Sequence, residues 1–205
     1  MHSHLLPGID DGVKTYEEAI EILKIFRDLG IKEVVTTPHI MMEYYPNTPL
    51  IINEKLAALQ NYVNASDLDI KIDAAAEYYF DDHFKKLIQE PSQLLTFLDN
   101  FILVETPMYN IPPDVIDVFF SLRAKGITPI LAHPERYHFI QNDISLIDEI
   151  KSSGTLIQVN YPSFFGAYGP EAQKTAQQLY KKKLIDFTGT DCHNIRQAQG
   201  LQQFL

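Results

Sequence analysis

Two histidines, His2 and His4, are separated by a single residue at the start of the chain, and an acidic turn with Asp10 and Asp11 follows them. Side chains two positions apart in an extended segment point to the same face, so we expect both imidazoles on one side of a short first strand. Imidazoles and carboxylates that converge are typical metal ligands. The opening segment therefore predicts half of a metal site, completed by later parts of the chain.

Short apolar, β-branched runs alternate along the chain with segments of helical periodicity. The predicted strands are a short one around His2 and the runs Glu33–Thr37, Ile70–Ala76, Phe101–Val104, Pro129–Ala132, Thr155–Val159 and Ile185–Thr188. The predicted helices are Tyr16–Leu29, Asn53–Val63, Val115–Lys125, Ser145–Ser152 and Pro170–Lys182. Alternating strands and helices predict a parallel sheet, and seven strands favour a closed or nearly closed α/β barrel. We expect residues 1–205 to form one domain.

Residues with metal-binding side chains follow most of the predicted strands. Together with His2, His4 and Asp11 they form a set of nine, whose other members are His39, Glu77, Glu105, His133, Asp191 and His193. The carboxyl ends of the strands of a parallel barrel meet on one face, so these side chains are expected to converge there. His83 and His138 do not follow a strand, and we leave both out of the site.

Nine ligands are too many for one ion, because zinc takes about four and octahedral metals about six including waters. The set therefore predicts two or three divalent ions. Mixed imidazole and carboxylate ligands without thiolate favour manganese, iron or zinc over calcium, and the spacing of the ligands does not decide among the three. Two ions about 3.5–4 Å apart suit the displacement of a phosphoryl group.

Two arginines follow predicted ligands at the same distance: Arg136 comes three residues after His133, and Arg196 three residues after His193. A guanidinium group matches a phosphate with two parallel hydrogen bonds, so both are candidates for substrate binding. An ordinary surface ion pair is the alternative for each. Cys192 lies between two predicted ligands in an extended segment, points to the opposite face, and is expected to serve packing.

Composition excludes several classes of protein. The net charge of −10 argues against a broad nucleic-acid-binding surface. The apolar runs are too short for insertion into a membrane. A single cysteine excludes an internal disulfide and favours a reducing compartment, and a predicted ligand at position 2 leaves no room for a signal peptide. We therefore expect a cytoplasmic protein.

Six motifs, in order, carry a resemblance to a known family. They are His-Ser-His-Leu-Leu-Pro-Gly-Ile-Asp-Asp-Gly, Thr-Pro-His, Ala-Glu-Tyr-Tyr, Leu-Val-Glu, Ala-His-Pro-Glu-Arg-Tyr and Gly-Thr-Asp-Cys-His. Across residues 2–196 the chain resembles the polymerase-and-histidinol-phosphatase (PHP) superfamily. Within it, the first and fifth motifs are similar to those of the manganese-dependent bacterial protein-tyrosine phosphatases of capsule and exopolysaccharide operons.

The resemblance implies a distorted seven-stranded (β/α) barrel of the PHP type, with three metal ions. It assigns the first ion to His2, His4, Glu77 and Asp191. Glu77 would bridge to a second ion, which Glu105 and His133 also bind. The third ion would be held by Asp11, His39 and His193, with Asp11 preferred to Asp10 because it directly precedes Gly12. Arg136 and Arg196 would bind the phosphate.

The resemblance also implies an activity. A metal-bound hydroxide would attack the phosphorus of phosphotyrosine directly, without a phosphoenzyme, and the substrate would be the tail of a tyrosine autokinase that controls polysaccharide export. Relatives carry an aspartate two residues before the first histidine, so we expect either that the chain is shortened at its start or that the first ion is held more loosely. Relatives also continue past the position that corresponds to the last residue of this chain, which predicts that its end is shortened too.

Three other functions are compatible with the same ligands. One is a small-molecule phosphatase of the histidinol-phosphatase type, and another is a nuclease, which the negative charge and the lack of a basic groove disfavour. The non-enzymatic alternative is a metal-binding regulatory module that has lost turnover. The sequence does not predict the oligomeric state.

Overall fold

The computed structural model describes residues 2–202, which divide into two compact units. The first unit runs to Glu77 and resumes at Asp191, and the second extends from Tyr78 to Thr190. That one domain spans the whole chain stays a prediction.

Among the described residues the first unit has six elements, of which four overlap predicted strands or helices and two, the strand at His39 and the last helix, were not predicted. They are α1 (Tyr16–Asp28), β1 (Glu33–Thr36), β2 (His39–Ile40), α2 (Pro49–Ala65), β3 (Lys71–Ala74) and α8 (Ile195–Leu201). Strands β1 and β3 are parallel, with Val34 opposite Ile72. The side chain of Thr15 accepts a hydrogen bond from the Glu18 amide and so caps the start of α1.

The second unit is built around adjacent parallel strands. Its elements are β4 (Glu77–Tyr79, which starts at the last residue of the first unit), α3 (Asp82–Leu87), β5 (Phe101–Glu105), α4 (Val115–Ala124), β6 (Thr128–Ala132), α5 (His138–Asn142), α6 (Leu146–Ser152), β7 (Leu156–Asn160), α7 (Pro170–Lys181) and β8 (Phe187–Gly189). Strands β5, β6, β7 and β8 pair in that order, all parallel. Every residue of β6 is buried, as its unbroken apolar run requires.

The predicted α/β class with parallel strands is confirmed. A closed barrel is not confirmed, because the hydrogen bonds of residues 2–202 place β1 and β3 in a two-stranded sheet of their own.

The predicted first strand around His2 is wrong. His2 has φ of 70°, in the left-handed region, and only an isolated parallel bridge joins Ser3 to Cys192. A residue in that conformation turns the chain, so the pleat of a strand cannot continue through it.

None of the helices formed by the described residues combines the length and apolar character needed to cross a bilayer.

A tight turn after His4 brings the acidic residues back towards the histidines. The Val13 amide donates to the His4 carbonyl at 3.1 Å, and the Gly8 amide donates to the Val13 carbonyl at 3.0 Å. Gly12 lies against the start of this turn: a Cβ there would overlap the His4 carbonyl oxygen and lie 2.5 Å from the His4 Cβ. The turn therefore requires glycine at this position for lack of space.

We predict that Gly12→Ala lowers the free energy of unfolding by about 1–3 kcal/mol, because the added methyl group displaces the His4 backbone. Urea denaturation would measure the change. Gly200→Ala is the matched control, since a Cβ there meets nothing within 4 Å and the position is helical. A Gly12→Ala protein as stable as the Gly200→Ala protein would contradict the prediction.

Candidate metal centre

Backbone hydrogen bonds fix the segment that carries the first two histidines. The Thr37 amide donates to the Ser3 carbonyl at 2.7 Å, and the Asp191 amide donates to the His2 carbonyl at 3.0 Å. The His4 amide donates to the Cys192 carbonyl at 2.9 Å. Three segments that are distant in the chain thus meet at His2 and His4.

Four predicted ligands come together in what we call the inner group: His2, His4, Glu77 and Asp191. The Nε2 atom of His2 lies 3.2 Å from Oε2 of Glu77 and 3.1 Å from Oδ1 of Asp191. The Nε2 atom of His4 lies 3.2 Å and 3.5 Å from the same two oxygens. All four residues are buried, so this donor set is removed from water.

Four predicted ligands also meet in a second set, the outer group: His4, Asp11, His39 and His193. Oδ1 of Asp11 lies 3.4 Å from Nε2 of His193 and 3.6 Å from Nε2 of His39. The rings of His4 and His193 stack with centroids 3.9 Å apart. Asp11 is the more exposed member, which leaves this group accessible from one side.

The two groups are in direct contact. His4 belongs to both, and Nδ1 of His39 lies 3.4 Å from Oε2 of Glu77. Oε2 of Glu77 therefore faces three imidazoles, those of His2, His4 and His39. A carboxylate oxygen shared in this way is suited to a bridge between neighbouring cations.

The inner group is built to hold positive charge. Burial alone would lower the pKa of His2, but the carboxylates of Glu77 and Asp191 outweigh it and raise that pKa to about 10. Burial also opposes the charge on His4, yet hydrogen bonds to Asp10, Asp191 and Glu77 raise its pKa well above the usual value. The carboxylates of this group thus stabilise positive charge at the place where the imidazole nitrogens converge.

The outer group has a different electrostatic character. Burial is the main reason that the pKa of His39 is lowered. The hydrogen bond from His193 lowers the pKa of Asp11 to about 2. The group thus combines a neutral imidazole with an ionised carboxylate, and both are the protonation states that bind metals.

Asp10 holds two candidate ligands in place through hydrogen bonds. One of its oxygens, Oδ2, accepts a hydrogen bond from Nδ1 of His4 at 2.8 Å and another from the His39 amide at 3.1 Å. The other oxygen accepts from the Gly12 amide at 2.9 Å. Asp10 therefore fixes the ring of His4 with Nε2 directed at the inner group. The sequence pattern did not predict this role, although an Asp that bonds the amide two residues on is a recognisable turn signal.

We predict that Asp10→Ala weakens metal binding about 10- to 100-fold, the usual cost of losing a carboxylate that orients a metal-binding imidazole. Competition with a chromogenic chelator would measure the affinity. Asp69→Ala is the control, because Asp69 is exposed and its replacement removes the same charge. Equal affinities for the two variants would contradict the positioning role.

Two further predicted ligands lie together in the second unit. Glu105 is the last residue of β5, His133 directly follows the neighbouring strand β6, and Oε1 of Glu105 lies 3.7 Å from Nε2 of His133. The carboxyl ends of adjacent parallel strands place them side by side, as the sequence pattern predicts. The assignment of all nine residues as metal ligands stays a prediction.

Three of the nine predicted ligands have left-handed backbones: His2, His133 and Asp191, with φ of 70°, 34° and 50°. Such conformations cost about 1–3 kcal/mol each in residues other than glycine. Strain of this kind persists where the surroundings fix it, and it concentrates at functional sites.

Glu135 anchors the turn that follows His133. Its Oε1 accepts hydrogen bonds from the Asn160 amide at 3.0 Å and from Oγ of Ser163 at 2.6 Å. Its Oε2 has no hydrogen-bond partner among the described residues, and burial raises the pKa of this carboxyl to about 7. Glu135 thus ties the His133 turn to the end of β7, a role that no motif of the sequence indicated.

The two predicted phosphate-binding arginines have different surroundings. The guanidinium of Arg136 lies 4.6 Å from the ring centre of Tyr168. Arg196 is exposed on α8 and forms no hydrogen bond or ion pair with any residue between 2 and 202. Both phosphate-binding roles stay predictions.

Cys192 is fully buried, and burial raises the pKa of its thiol to about 12. Its S–H group donates to the Asn194 carbonyl at 3.5 Å. A protonated, inaccessible thiol is a poor nucleophile, in agreement with the packing role expected from the sequence.

We predict that Cys192 does not react with Ellman's reagent in the native protein at pH 8, on a timescale in which the unfolded protein reacts completely. The reason is that neither the thiolate nor an access route is present. Absorbance of the released thiolate would follow the reaction, with protein unfolded in guanidinium chloride as control. Rapid native labelling would show that Cys192 is accessible.

The donor chemistry of these groups fits divalent metal ions. Each group offers imidazole nitrogens and carboxylate oxygens within 4.8 Å of one another, and no thiolate takes part. This donor set suits manganese, iron or zinc.

Comparisons with known proteins agree with this chemistry. The family model described as "Capsular polysaccharide synthesis, CpsB/CapC" matches residues 1–200. The tyrosine-protein phosphatase YwqE of Bacillus subtilis (strain 168) is 28% identical over 197 residues, which cover 96% of this chain and 77% of that protein.

Two solved structures resemble the chain. One comes from a crystallographic study of YwqE from Bacillus subtilis and CpsB from Streptococcus pneumoniae, described as unique metal-dependent tyrosine phosphatases. It has a TM-score of 0.89 and 28% identity, covering 96% of this chain and 80% of its own. The other, named for a histidinol phosphatase of Listeria monocytogenes, has a TM-score of 0.57 and 9% identity over 100% of this chain and 98% of its own, a likeness of fold alone.

Proposed function

The chain belongs to the CpsB/CapC family of capsular polysaccharide synthesis proteins, and from that premise we propose that it is a metal-dependent protein-tyrosine phosphatase. The observation that carries the proposal is the contact between two donor groups through His4 and Oε2 of Glu77. Adjacent donor groups that meet at one carboxylate oxygen suit the hydrolysis of a phosphate ester, which is among the slowest reactions in water.

We assign the metal ligands as the resemblance implies. The inner group of His2, His4, Glu77 and Asp191 would hold one ion, and Asp11, His39 and His193 another. Glu105 and His133, with Glu77 as a bridge, would hold a third. The chemistry that divalent ions supply in such a site is Lewis-acid polarisation of the phosphoryl oxygens and activation of the attacking water.

The residues of the chain have roles of their own in this proposal. Asp10 orients His4, and Glu135 holds the turn between His133 and Arg136. The guanidinium of Arg136 binds the phosphate oxygens, aided by Arg196. Burial of the inner group keeps bulk water away and strengthens the interactions of the remaining charges.

The finer parts of the proposal rest on the resemblance. The native metal is manganese, and the site holds three ions. The substrate is the phosphotyrosine tail of a tyrosine autokinase that controls capsular or exopolysaccharide synthesis, in the cytoplasm. The strands belong to a distorted seven-stranded barrel within one domain, as the resemblance implies.

We predict that Glu77→Gln lowers kcat on a phosphotyrosine peptide more than about 100-fold. Loss of a residue that only orients a metal ligand costs about 10- to 100-fold, and Glu77 is itself an assigned ligand whose Oε2 also lies 3.4 Å from His39 of the outer group. His133→Ala is expected to abolish hydrolysis as well. Release of phosphate from the manganese-loaded protein measures the rate, and circular dichroism checks that each variant folds.

Glu54→Gln is the matched control, since Glu54 is exposed on α2 and loses the same charge. Wild-type activity in folded Glu77→Gln would refute the assignment. Preference for histidinol phosphate over the peptide would favour a small-molecule phosphatase. Degradation of single-stranded DNA would favour a nuclease. Tight manganese binding without hydrolysis of any of these would favour the regulatory module.

A further inference from the structure

A pocket of about 440 Å³ opens in the second unit beside Arg136, and none of the assigned metal ligands lines it. It is lined by Met108, Tyr109, Arg136, His138 and Tyr168, together with Gln141 and the first residues of α7. Its volume lies in the range of small-molecule sites, about 300–1,000 Å³.

The position of the pocket follows from the strand order. Tyr109 comes four residues after Glu105 at the end of β5, and Arg136 comes three residues after His133 at the end of β6. The two loops are tied together, because the His138 amide donates to the Met108 carbonyl at 2.8 Å. The pocket therefore lies at the same end of the strands as the Glu105–His133 pair, at the place where ligands bind in parallel α/β folds.

The walls of the pocket are flat. The ring of Tyr109 stacks on that of His138, with centroids 4.7 Å apart and an angle of 4° between the planes. The guanidinium of Arg136 lies 4.6 Å from the ring centre of Tyr168. Tyr109 is 72% exposed, so its ring is accessible to a ligand.

Flat aromatic walls beside a guanidinium select a particular ligand. Aromatic rings attract other rings through stacked or edge-to-face contacts, and the guanidinium attracts an anionic group. An aryl group that carries a phosphate satisfies both, whereas an alkyl phosphate uses only the cation. The pocket also has room for more than one ring, so part of the adjoining peptide fits with the aryl group.

We propose that this pocket is the aryl subsite of the enzyme, and that Tyr109 and Tyr168 make it select aromatic over aliphatic phosphate esters. The inference rests on the proposed phosphatase activity and names the residues that determine its specificity.

The test compares phosphotyrosine and phosphoserine in one peptide sequence, with kcat/KM as the readout. Wild-type protein is expected to prefer phosphotyrosine. Tyr168→Leu is expected to reduce the ratio of the two kcat/KM values about 10-fold, as is Tyr109→Ala, because each removes an aromatic stacking contact that the phosphoserine peptide does not use. Tyr168→Phe keeps the ring and is expected to retain the preference.

Tyr180→Ala is the matched control, because Tyr180 is 70% exposed on α7 and does not line the pocket. Equal losses on both peptides would make the tyrosines structural residues. No preference in the wild type, or an unchanged ratio in both variants, would overturn the proposal.

A binding measurement separates this inference from the proposed function. Calorimetry on the manganese-loaded protein compares phenylphosphonate with methylphosphonate, neither of which is hydrolysed. At least about 10-fold tighter binding of phenylphosphonate, lost in Tyr168→Leu, supports the subsite even where phosphotyrosine is not turned over. Equal binding of the two phosphonates overturns the subsite even where the phosphatase activity is present.

Discussion

The buried carboxylate of Glu77 is the group on which the first unit depends. A carboxylate removed from water costs several kcal/mol unless positive charge and hydrogen bonds compensate it. The compensation comes from His2, His4 and His39, whose nitrogens lie 3.2–3.4 Å from the same oxygen. His2 and His4 share one segment of the chain, while His39 and Glu77 lie on two others, so these three segments must adopt one arrangement for the charge to be tolerated.

Each unit uses a further buried acid to hold a candidate ligand in place. In the first unit Asp10 bonds both the ring of His4 and the amide of His39. In the second, Glu135 bonds the end of β7 and so fixes the strained turn at His133. Both acids lie within two residues of a candidate ligand in the chain, Asp11 or His133. The hydrogen bonds of Asp10 and Glu135 thus make each loop rigid, and neither residue is itself one of the nine candidate ligands.

The sequence is most informative where burial is complete. The apolar run at Pro129–Ala132 lies within β6, of which every residue is buried. A strand covered on both faces consists mainly of apolar residues, so such a run is easily recognised in the sequence. The short, partly polar strands β2 and β4 are not predictable in this way, since two or three residues show no period. The strand expected around His2 fails for a long-range reason: His2 has a left-handed backbone, and the segment is hydrogen-bonded to residues 191 and 192, which are distant in the chain.

The sequence predicts the candidate metal ligands better than it predicts the residues that hold those ligands in place. A His, Asp or Glu at the carboxyl end of a predicted strand is recognisable as a candidate ligand from its position, as Glu105 and His133 are. Asp10 and Glu135 are acids next to such positions, and only the folded structure shows that their oxygens point at a ring or at backbone amides. Arg136 likewise has a surrounding that a linear pattern does not reveal, the face of Tyr168.

The first unit is discontinuous, and its final contribution includes Asp191 and His193. Ribosomal synthesis proceeds from the amino end, and a compact region can close only when all its segments have emerged. His2, His4 and Glu77 are therefore synthesised before the whole second unit, Tyr78–Thr190, and lack their partner Asp191 until that unit has been translated. Both donor groups are therefore complete only after the synthesis of Asp191 and His193, and a nascent chain that stalls earlier lacks one candidate ligand of each group.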